Sequence, residues 1–262
     1  MNTEKGEIGK SHSSGGGGRI AVVGIGPGSV EHITVKAKDE IERADVIVGY
    51  TTYIDLIRPL IKPTAEVITG RMGEEIERAK IAVKKALDNK RVAVISSGDA
   101  GVYGMAGPVL EVAEAEGVNV PIEIIPGVTA ATAGAAKLGA PIMVDFAVIS
   151  LSDILTPWSE IEKRLKAAAE SDFVIILYNP QSRTRQEPIV KAYQILLEYR
   201  DADTPVGIMQ NVGRQGEKAV ITTLREMIKH EIDMTTTIIV GNSKTKIIGG
   251  KMVTSRGYDV AT

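Results

Sequence analysis

Short apolar segments alternate with helix-forming segments along most of this chain, and the alternation constrains the fold more than any other feature. Ile20 to Val23 form a continuous apolar run, which is typical of a strand buried on both faces. Strands that alternate with helices indicate a mostly parallel sheet with helices packed against it. Strands are predicted in the first half at 20–23, 46–48, 66–69, 92–95 and 122–125, and helices at 34–44, 76–87, 105–116 and 130–140.

The pattern restarts after Pro141, so we predict two α/β domains, at 19–142 and 143–258. The second half has shorter strands and fewer helices between them, which predicts a mixed sheet. Residues 1–18 are polar and end in four glycines, and we expect them to form a flexible tail. The second half has strand signals at 146–151, 173–177, 206–209, 219–222, 236–240 and 251–254, and helix signals at 158–169, 187–199 and 224–230.

Composition argues against several classes of function. Lys and Arg number 31 against 33 Asp and Glu, so the net charge of -2 provides no global basic field for nucleic acid. Cysteine is absent, which excludes disulfides, thiolate zinc sites and a Cys nucleophile and fits the reducing cytoplasm. The three histidines, His12, His32 and His230, are scattered, which disfavours a metal site. No apolar run approaches the ~18 residues of a membrane span, so we expect no membrane association.

A glycine-rich loop, Gly24-Ile25-Gly26-Pro27-Gly28, follows the first predicted strand. Glycines here let a ligand approach the backbone closely, and the start of the following helix favours anions. A dinucleotide-binding fingerprint needs a third glycine, where Ser29 stands, and an acidic end to the second strand, where Val48-Gly49-Tyr50 stands. The loop therefore predicts either a structural turn or a ligand site, but not one for NAD.

Two more loops of small residues follow predicted strands, Ser96 to Gly104 and Ile125 to Thr132. Sheets of this type bind ligands beyond the carboxyl ends of their strands, so the three loops could line one edge of one sheet. A side chain at Gly98 would then block the ligand. Asp99 and Thr129 could equally serve as helix caps.

Together, the three loops resemble those of the tetrapyrrole methylases, S-adenosylmethionine-dependent enzymes of corrin and sirohaem synthesis. The resemblance covers about 19–258. Ser29 and Ala100 replace the Asp and Pro of many members, and both are similar to the branch that methylates carbon 17 of precorrin-3B or cobalt-factor III while the ring contracts. The stretches that carry this narrower resemblance are Gly49 to Ile57, Ser97 to Gly107, Leu177 to Pro180, Asn211 to Arg214 and Gly241 to Ser243.

The resemblance implies two α/β domains with S-adenosylmethionine in the cleft between them, a tetrapyrrole substrate, a homodimer and no metal ligands. It also implies which residues contact the methyl donor. In the first domain these are Pro27, Gly98, Asp99, Ala100, Val102, Tyr103, Thr129 and Ala130, and in the second they are Tyr178, Asn211, Val212 and Thr237.

The implied chemistry needs few special side chains. Methyl transfer requires an in-line approach and exclusion of water more than a strong base. Ring contraction also moves protons, for which the candidates are Asp99, Tyr103, His32 and Tyr178, although donor binding, capping or packing could explain each. The substrate carries many carboxylates, so cations should face it. The candidate cations are Arg183, Arg185, Arg214 and Lys244, and ordinary solvated surface positions are the alternative for each.

Two other functions remain open. One is a methylase of the same superfamily that acts on another precorrin, on protein or on ribosomal RNA. RNA is disfavoured because aromatic residues are only 4% of the chain and basic residues are not in excess. The other is a non-enzymatic module that binds an adenine ligand, which the matching loops in both halves disfavour.

Overall fold

The computed structural model describes residues 17–182 and 184–259, so most of the expected tail lies outside the described residues. The first sheet contains five strands, all parallel, in the order β3-β2-β4-β1-β5. The predicted parallel arrangement is therefore confirmed. The strands are β1 (Arg19–Gly24), β2 (Val46–Tyr50), β3 (Glu66–Gly70), β4 (Arg91–Ser96) and β5 (Ile122–Ile125).

Helices cover both faces of this sheet, as the apolar strands require. One face packs against α1 (Val35–Arg43) and α2 (Thr51–Ile57) around Ile41 and Ile54. The other packs against α3 (Glu75–Leu87) and α4 (Ala106–Ala115) around Val83 and Val109. Helix α2 was not among the predicted helices.

The second sheet has the order β10-β9-β11-β8-β7 and is mixed, as predicted. Only β7 and β8 pair in parallel. The strands are β7 (Phe146–Ser150), β8 (Val174–Tyr178), β9 (Pro205–Gln210), β10 (Lys218–Thr223) and β11 (Thr236–Val240). One face is covered by α6 (Trp158–Glu170), α7 (Glu187–Tyr199) and a 3-10 helix at Leu224–Lys229.

Helix α5 (Ala130–Leu138) connects the two sheets and covers the other face of the second one. Glycines on both elements allow a close approach: a Cβ on Gly134 of α5 would lie 3.3 Å from Met209 Cγ, and one on Gly207 of β9 would lie 2.1 Å from Leu138 Cδ1. Ala131 and Ala135 belong to the same buried cluster as Met209 and Ile239. The helix begins at the carboxyl edge of the first sheet and packs on the second, so it brings the second sheet next to that edge. We call this the shared edge.

A third, small sheet follows in the order β12-β13-β6. It consists of β6 (Gly139–Ala140), β12 (Thr245–Ile248) and β13 (Lys251–Thr254), of which only β13 was predicted. No helix in the described residues is long and apolar enough to cross a membrane.

Candidate functional site

The three glycine-rich loops meet at the carboxyl edge of the first sheet, with their backbones in direct contact. Gly26 and Gly98 exchange two backbone hydrogen bonds, of 3.0 and 2.8 Å between N and O. A Cβ on Gly127 would lie only 2.1 Å from the Gly98 carbonyl oxygen, and one on Gly24 would lie 2.7 Å from Gly127 N. Glycine is therefore required at this junction because a methyl group has no room.

Gly98 is also constrained by its backbone conformation. Its φ of +63° lies in the left-handed region, which favours glycine. Space alone would admit a Cβ, whose nearest neighbour would be Thr129 Cα at 3.7 Å. A larger residue at position 98 would thus strain the loop in addition to any effect on a ligand.

Asp99 joins the second loop to the third. Its Oδ1 accepts a hydrogen bond from Gly101 N at 2.8 Å, and its Oδ2 accepts one from Gly127 N at 2.9 Å. Both carboxylate oxygens thus hold backbone N–H groups of the loops. This arrangement gives Asp99 a positioning role.

Tyr103 reaches from the second loop to β7, the edge strand of the second sheet. Its hydroxyl donates to Val148 O and accepts from Ser150 N, both at 3.1 Å. Its ring lies 5.6 Å from that of Tyr178 between centroids and is tilted by 53°. Tyr103 has a φ of +53°, a conformation that costs energy for a residue other than glycine, and its exposed fraction is 56%.

Tyr178, at the end of β8, makes the reciprocal link to the first domain. Its hydroxyl lies 2.5 Å from Thr129 Oγ1 and accepts a hydrogen bond from Ala131 N at 2.7 Å, at the start of α5. Burial raises the pKa of both the Tyr178 and the Tyr103 phenol. Both hydroxyls therefore keep their protons at neutral pH and are suited to donate rather than to act as bases.

The loop after β9 packs against the first glycine-rich loop. Val212 is buried in the α5 cluster, and Asn211 has a φ of +51°. A Cβ on Gly213 would lie 3.0 Å from Pro27 Cγ. Arg214 Nε donates to the Pro27 carbonyl at 2.8 Å, so this predicted cation joins the loop after β9 to the first loop.

The remaining residues predicted to contact the methyl donor differ in how deeply they are buried. Thr237 is buried on the face of β11 that also carries Ile239 and packs toward α5. Ala100 is fully buried in the apolar cluster that packs α3 and α4 against the first sheet. Val102, which lies beside Tyr103, and Ala130, at the start of α5, are half-buried.

The other predicted cations are not arranged as a group. Arg183 lies outside the described residues. Arg185 is mostly buried, and its guanidinium donates to Leu151 O at 2.8 Å and to Asn179 O at 3.1 Å. Lys244 lies beyond the end of β11 that pairs with Ile175, at the opposite end of the second sheet from Tyr178. The structure therefore does not bring Lys244 to the three loops.

The backbone of His32 packs against the first loop at Gly26. A Cβ on Gly26 would lie 2.8 Å from His32 O. The imidazole contributes to lowering the pKa of Glu217, after larger contributions from Lys137 and from the Gly213 N–H. Its Nδ1 is buried and has no hydrogen-bond partner in the described part of the chain. Among the same residues, no cluster of His, Asp and Glu is suited to hold a metal ion.

Two residues at this edge had no individual role in the sequence-based prediction. Ser97 accepts a hydrogen bond from Arg214 Nη2 at 2.8 Å, and the Tyr53 ring lies 5.6 Å from the Arg214 guanidinium carbon. Both lie in segments that carried the family resemblance. The pairing itself joins residues more than 100 positions apart, so no local signal could have revealed it.

Comparison with known proteins supports a common architecture and ancestry. The family model for Tetrapyrrole (Corrin/Porphyrin) Methylases matches residues 19–228. The chain is 51% identical over 245 residues to the cobalt-factor III methyltransferase of Priestia megaterium, covering 92% of this chain but 45% of that protein. It is 46% identical over 239 residues to the probable cobalt-factor III C(17)-methyltransferase of Salmonella typhimurium, covering 91% and 99%. The crystal structure of the methyltransferase CobJ matches with a TM-score of 0.87 at 34% identity, covering 91% and 100%.

Proposed function

This chain belongs to the tetrapyrrole methylases, and on that premise we propose that it is an S-adenosylmethionine-dependent C-methyltransferase of corrin synthesis. Its proposed reaction is methylation of carbon 17 of cobalt-factor III, accompanied by ring contraction. The observation that carries the proposal is the 46% identity to the Salmonella typhimurium relative along 99% of that protein. The Priestia megaterium relative is more than twice as long as the matched region, so its name carries less weight.

The junction of the three loops supports a site for the methyl donor. Backbone groups and small side chains line it, and a Cβ at Gly24 or Gly127 would fill space that the loops use to approach one another. Tyr103 and Tyr178 border the same junction from both domains. We propose that the donor contacts lie at Pro27, Gly98, Asp99, Ala100, Val102, Tyr103, Thr129, Ala130, Tyr178, Asn211, Val212 and Thr237.

The residues of this chain contribute chiefly by positioning and by excluding water. When bound, S-adenosylmethionine supplies a methyl group on a positively charged sulfur. Asp99 holds the second and third loops in register through Gly101 and Gly127. The tyrosine hydroxyls fix the second sheet against the loops. Of the proton-transfer candidates, Tyr103 and Tyr178 both stay protonated at neutral pH, because burial raises the pKa of each phenol.

The cobalt-containing substrate is preferred over precorrin-3B because both relatives described above are named for cobalt-factor III. A protein or RNA substrate is disfavoured by the net charge of -2 and the low aromatic content. We further propose a cytoplasmic homodimer, which sedimentation equilibrium and cell fractionation would test.

The proposal is tested by anaerobic incubation of the protein with S-adenosylmethionine and either cobalt-factor III or precorrin-3B. We expect S-adenosylhomocysteine to form with cobalt-factor III, together with a product that carries one more methyl group and an altered absorption spectrum. Calorimetry should show binding of S-adenosylhomocysteine and none of NAD. Absence of turnover with both tetrapyrroles, or binding of NAD alone, would overturn the proposal.

A further inference from the structure

Arg214 is the side chain that connects the second domain to two of the three loops at once. Nε donates to the Pro27 carbonyl and Nη2 donates to Ser97 Oγ, each at 2.8 Å. The aliphatic part of the side chain lies against Gly28, where a Cβ would come within 2.2 Å of Arg214 Cγ. One guanidinium therefore contacts the first loop through a carbonyl and the second through a hydroxyl.

The backbone that carries Arg214 is itself held in place. Arg214 N donates to Asn211 O at 2.8 Å, which closes a tight turn, and Gly213 has a φ of +69°. Gly213 N donates to Glu217 Oε2 at 2.7 Å, while Glu217 Oε1 lies 2.8 Å from Lys137 Nζ on α5. The guanidinium thus projects from a loop anchored to the second domain, unlike a solvated surface arginine.

Only an arginine can make this pair of contacts. The planar guanidinium presents separate N–H groups in a fixed fork, whereas a lysine ammonium is a single point on a flexible chain. The flat cation also lies over the Tyr53 ring, which supports its orientation. A Lys at this position could reach the Pro27 carbonyl or the Ser97 hydroxyl, but its ammonium could not hold both groups at their observed positions.

We propose that Arg214 is a positioning residue for the methyl donor. It fixes the Pro27 and Ser97 loops relative to each other and to the second domain, so that the donor site is formed before the donor binds. This inference rests on the proposed function, because it assigns the donor to these loops. It differs from the substrate-binding role expected from the sequence, since the two contacts use backbone and hydroxyl groups of the protein itself.

A double-mutant cycle tests the inference by calorimetric titration with S-adenosylhomocysteine. We expect Arg214→Ala and Arg214→Lys each to weaken binding about tenfold, because charge-assisted hydrogen bonds to the loops are lost. Ser97→Ala should weaken binding less, and should add no further loss in the Arg214→Ala background. Arg225→Ala, which removes an exposed arginine paired with Asp203, is the matched control and should bind like the parent protein.

The outcomes separate this inference from the proposed function. If the parent protein binds no S-adenosylhomocysteine, the proposed function fails, and the inference fails with it. If the parent protein binds but Arg214→Ala and Arg214→Lys bind equally well, the proposed function stands and Arg214 has only a structural role. Should Arg214→Ala fail to fold, Arg214→Lys and Ser97→Ala decide the matter, and unchanged affinity in both would overturn the inference. In turnover assays, the donor KM should rise in Arg214→Lys while kcat at saturating donor changes little.

Discussion

Single residues determine how closely the three loops approach one another. At Gly24 and Gly127 the limit is space, because neighbouring backbone atoms lie where a Cβ would be placed. At Gly98 the limit is conformation, because φ is +63°. Two different physical constraints thus explain why glycine recurs in these loops, and they predict different results for substitution by alanine.

Gly127→Ala should destabilise the protein and abolish binding of S-adenosylhomocysteine. The added methyl would lie 2.1 Å from Gly98 O, and a backbone carbonyl cannot move aside without separating the loops. We expect a loss of about 2 kcal/mol or more in the free energy of unfolding. Gly107→Ala in α4 is the control, because no atom lies within 4 Å of its added methyl. Urea unfolding and calorimetry would measure both effects, and parent-like ligand affinity in Gly127→Ala would contradict the close packing of the loops.

Tyr178→Phe should lower the free energy of unfolding at neutral pH. It should also make this free energy fall less steeply as the pH rises into the alkaline range. The variant leaves the Ala131 N–H at the start of α5 without its partner, which should cost about 1–3 kcal/mol. Burial raises the phenol pKa in the folded protein, so the folded state retains this proton to higher pH than the unfolded chain. The stabilisation is complete below the ordinary pKa of 10.0 and is lost as pH rises through the higher folded value. Urea unfolding over this range should show a shallower decline in the variant than in the parent protein, and parallel curves would contradict this assignment.

At the scale of the elements, the alternating pattern predicted most strands and helices because long apolar segments report burial directly. Strands β1, β2 and β4 contain continuous, buried apolar runs, whereas β3 and β5 include polar residues; all five were identified. Strands β6 and β12 were missed for physical reasons. Gly139–Ala140 is too short to show periodicity, and it pairs with β13 more than 100 residues away. Strand β12 (Thr245–Ile248) is largely exposed and thus lacks a buried face.

Two of the predicted cations show what the sequence alone cannot predict. Arg185 and Arg214 were expected to face substrate carboxylates, and that role stays a prediction. In the structure, Arg185 binds backbone carbonyls and pairs with Asp153, while Arg214 binds a carbonyl and a hydroxyl of the protein. Sequence identifies a charge and its approximate place in the chain. It does not identify the partner, because that depends on backbone oxygens supplied by distant loops.

The segment between β7 and α6 should depend on Arg185 for its local stability. Arg185 joins Leu151, in this segment, to Asn179 at the end of β8, and the segment exposes Ile154 and Leu155. Arg185→Ala should therefore increase amide hydrogen exchange across residues 151–155 at least severalfold. Binding of S-adenosylhomocysteine should remain unchanged.

Arg164→Ala is the control for this experiment, because the Arg164 side chain is exposed and pairs with Glu160 on the same helix, α6. Its exchange pattern should match that of the parent protein. Unchanged exchange in Arg185→Ala would return Arg185 to the group of candidate substrate ligands, with a raised tetrapyrrole KM as the expected consequence.

For the molecule as a whole, the first and second sheets are held together around the shared edge by polar contacts that differ in chemistry. The Tyr103 hydroxyl binds β7 of the second sheet, and the Tyr178 hydroxyl binds the start of α5 at the edge of the first sheet. Both hydroxyls are neutral, whereas the Arg214 guanidinium that binds the Pro27 carbonyl is charged. The anchored carboxylate of Glu217 supports the Arg214 loop from behind. The integrity of the cleft should consequently depend on pH at the acid end as well as the alkaline end.

Acid should destabilise the protein partly through Glu217. Its pKa is lowered by the Lys137 side chain first and then by the Gly213 N–H, so the folded state favours the ionised carboxylate. The resulting stabilisation is complete above the ordinary pKa of 4.5 and is lost as pH falls through the lower folded value. In Lys137→Met, the largest cause of the lowered Glu217 pKa is removed. The free energy of unfolding should therefore fall less as the pH is lowered. Denaturant melts across that window would show it, and an unchanged slope would mean that the pair contributes nothing measurable.

The most direct test of the central claim is to follow the transferred carbon. The protein would be incubated anaerobically with cobalt-factor III and S-adenosylmethionine carrying carbon-13 in its methyl group, and the product would be examined by NMR. We expect one labelled methyl group, bonded to carbon 17 of a contracted ring, and S-adenosylhomocysteine in equal amount. A label at another carbon of the macrocycle, or on no tetrapyrrole at all, would contradict the assignment of this chain as a C(17)-methyltransferase.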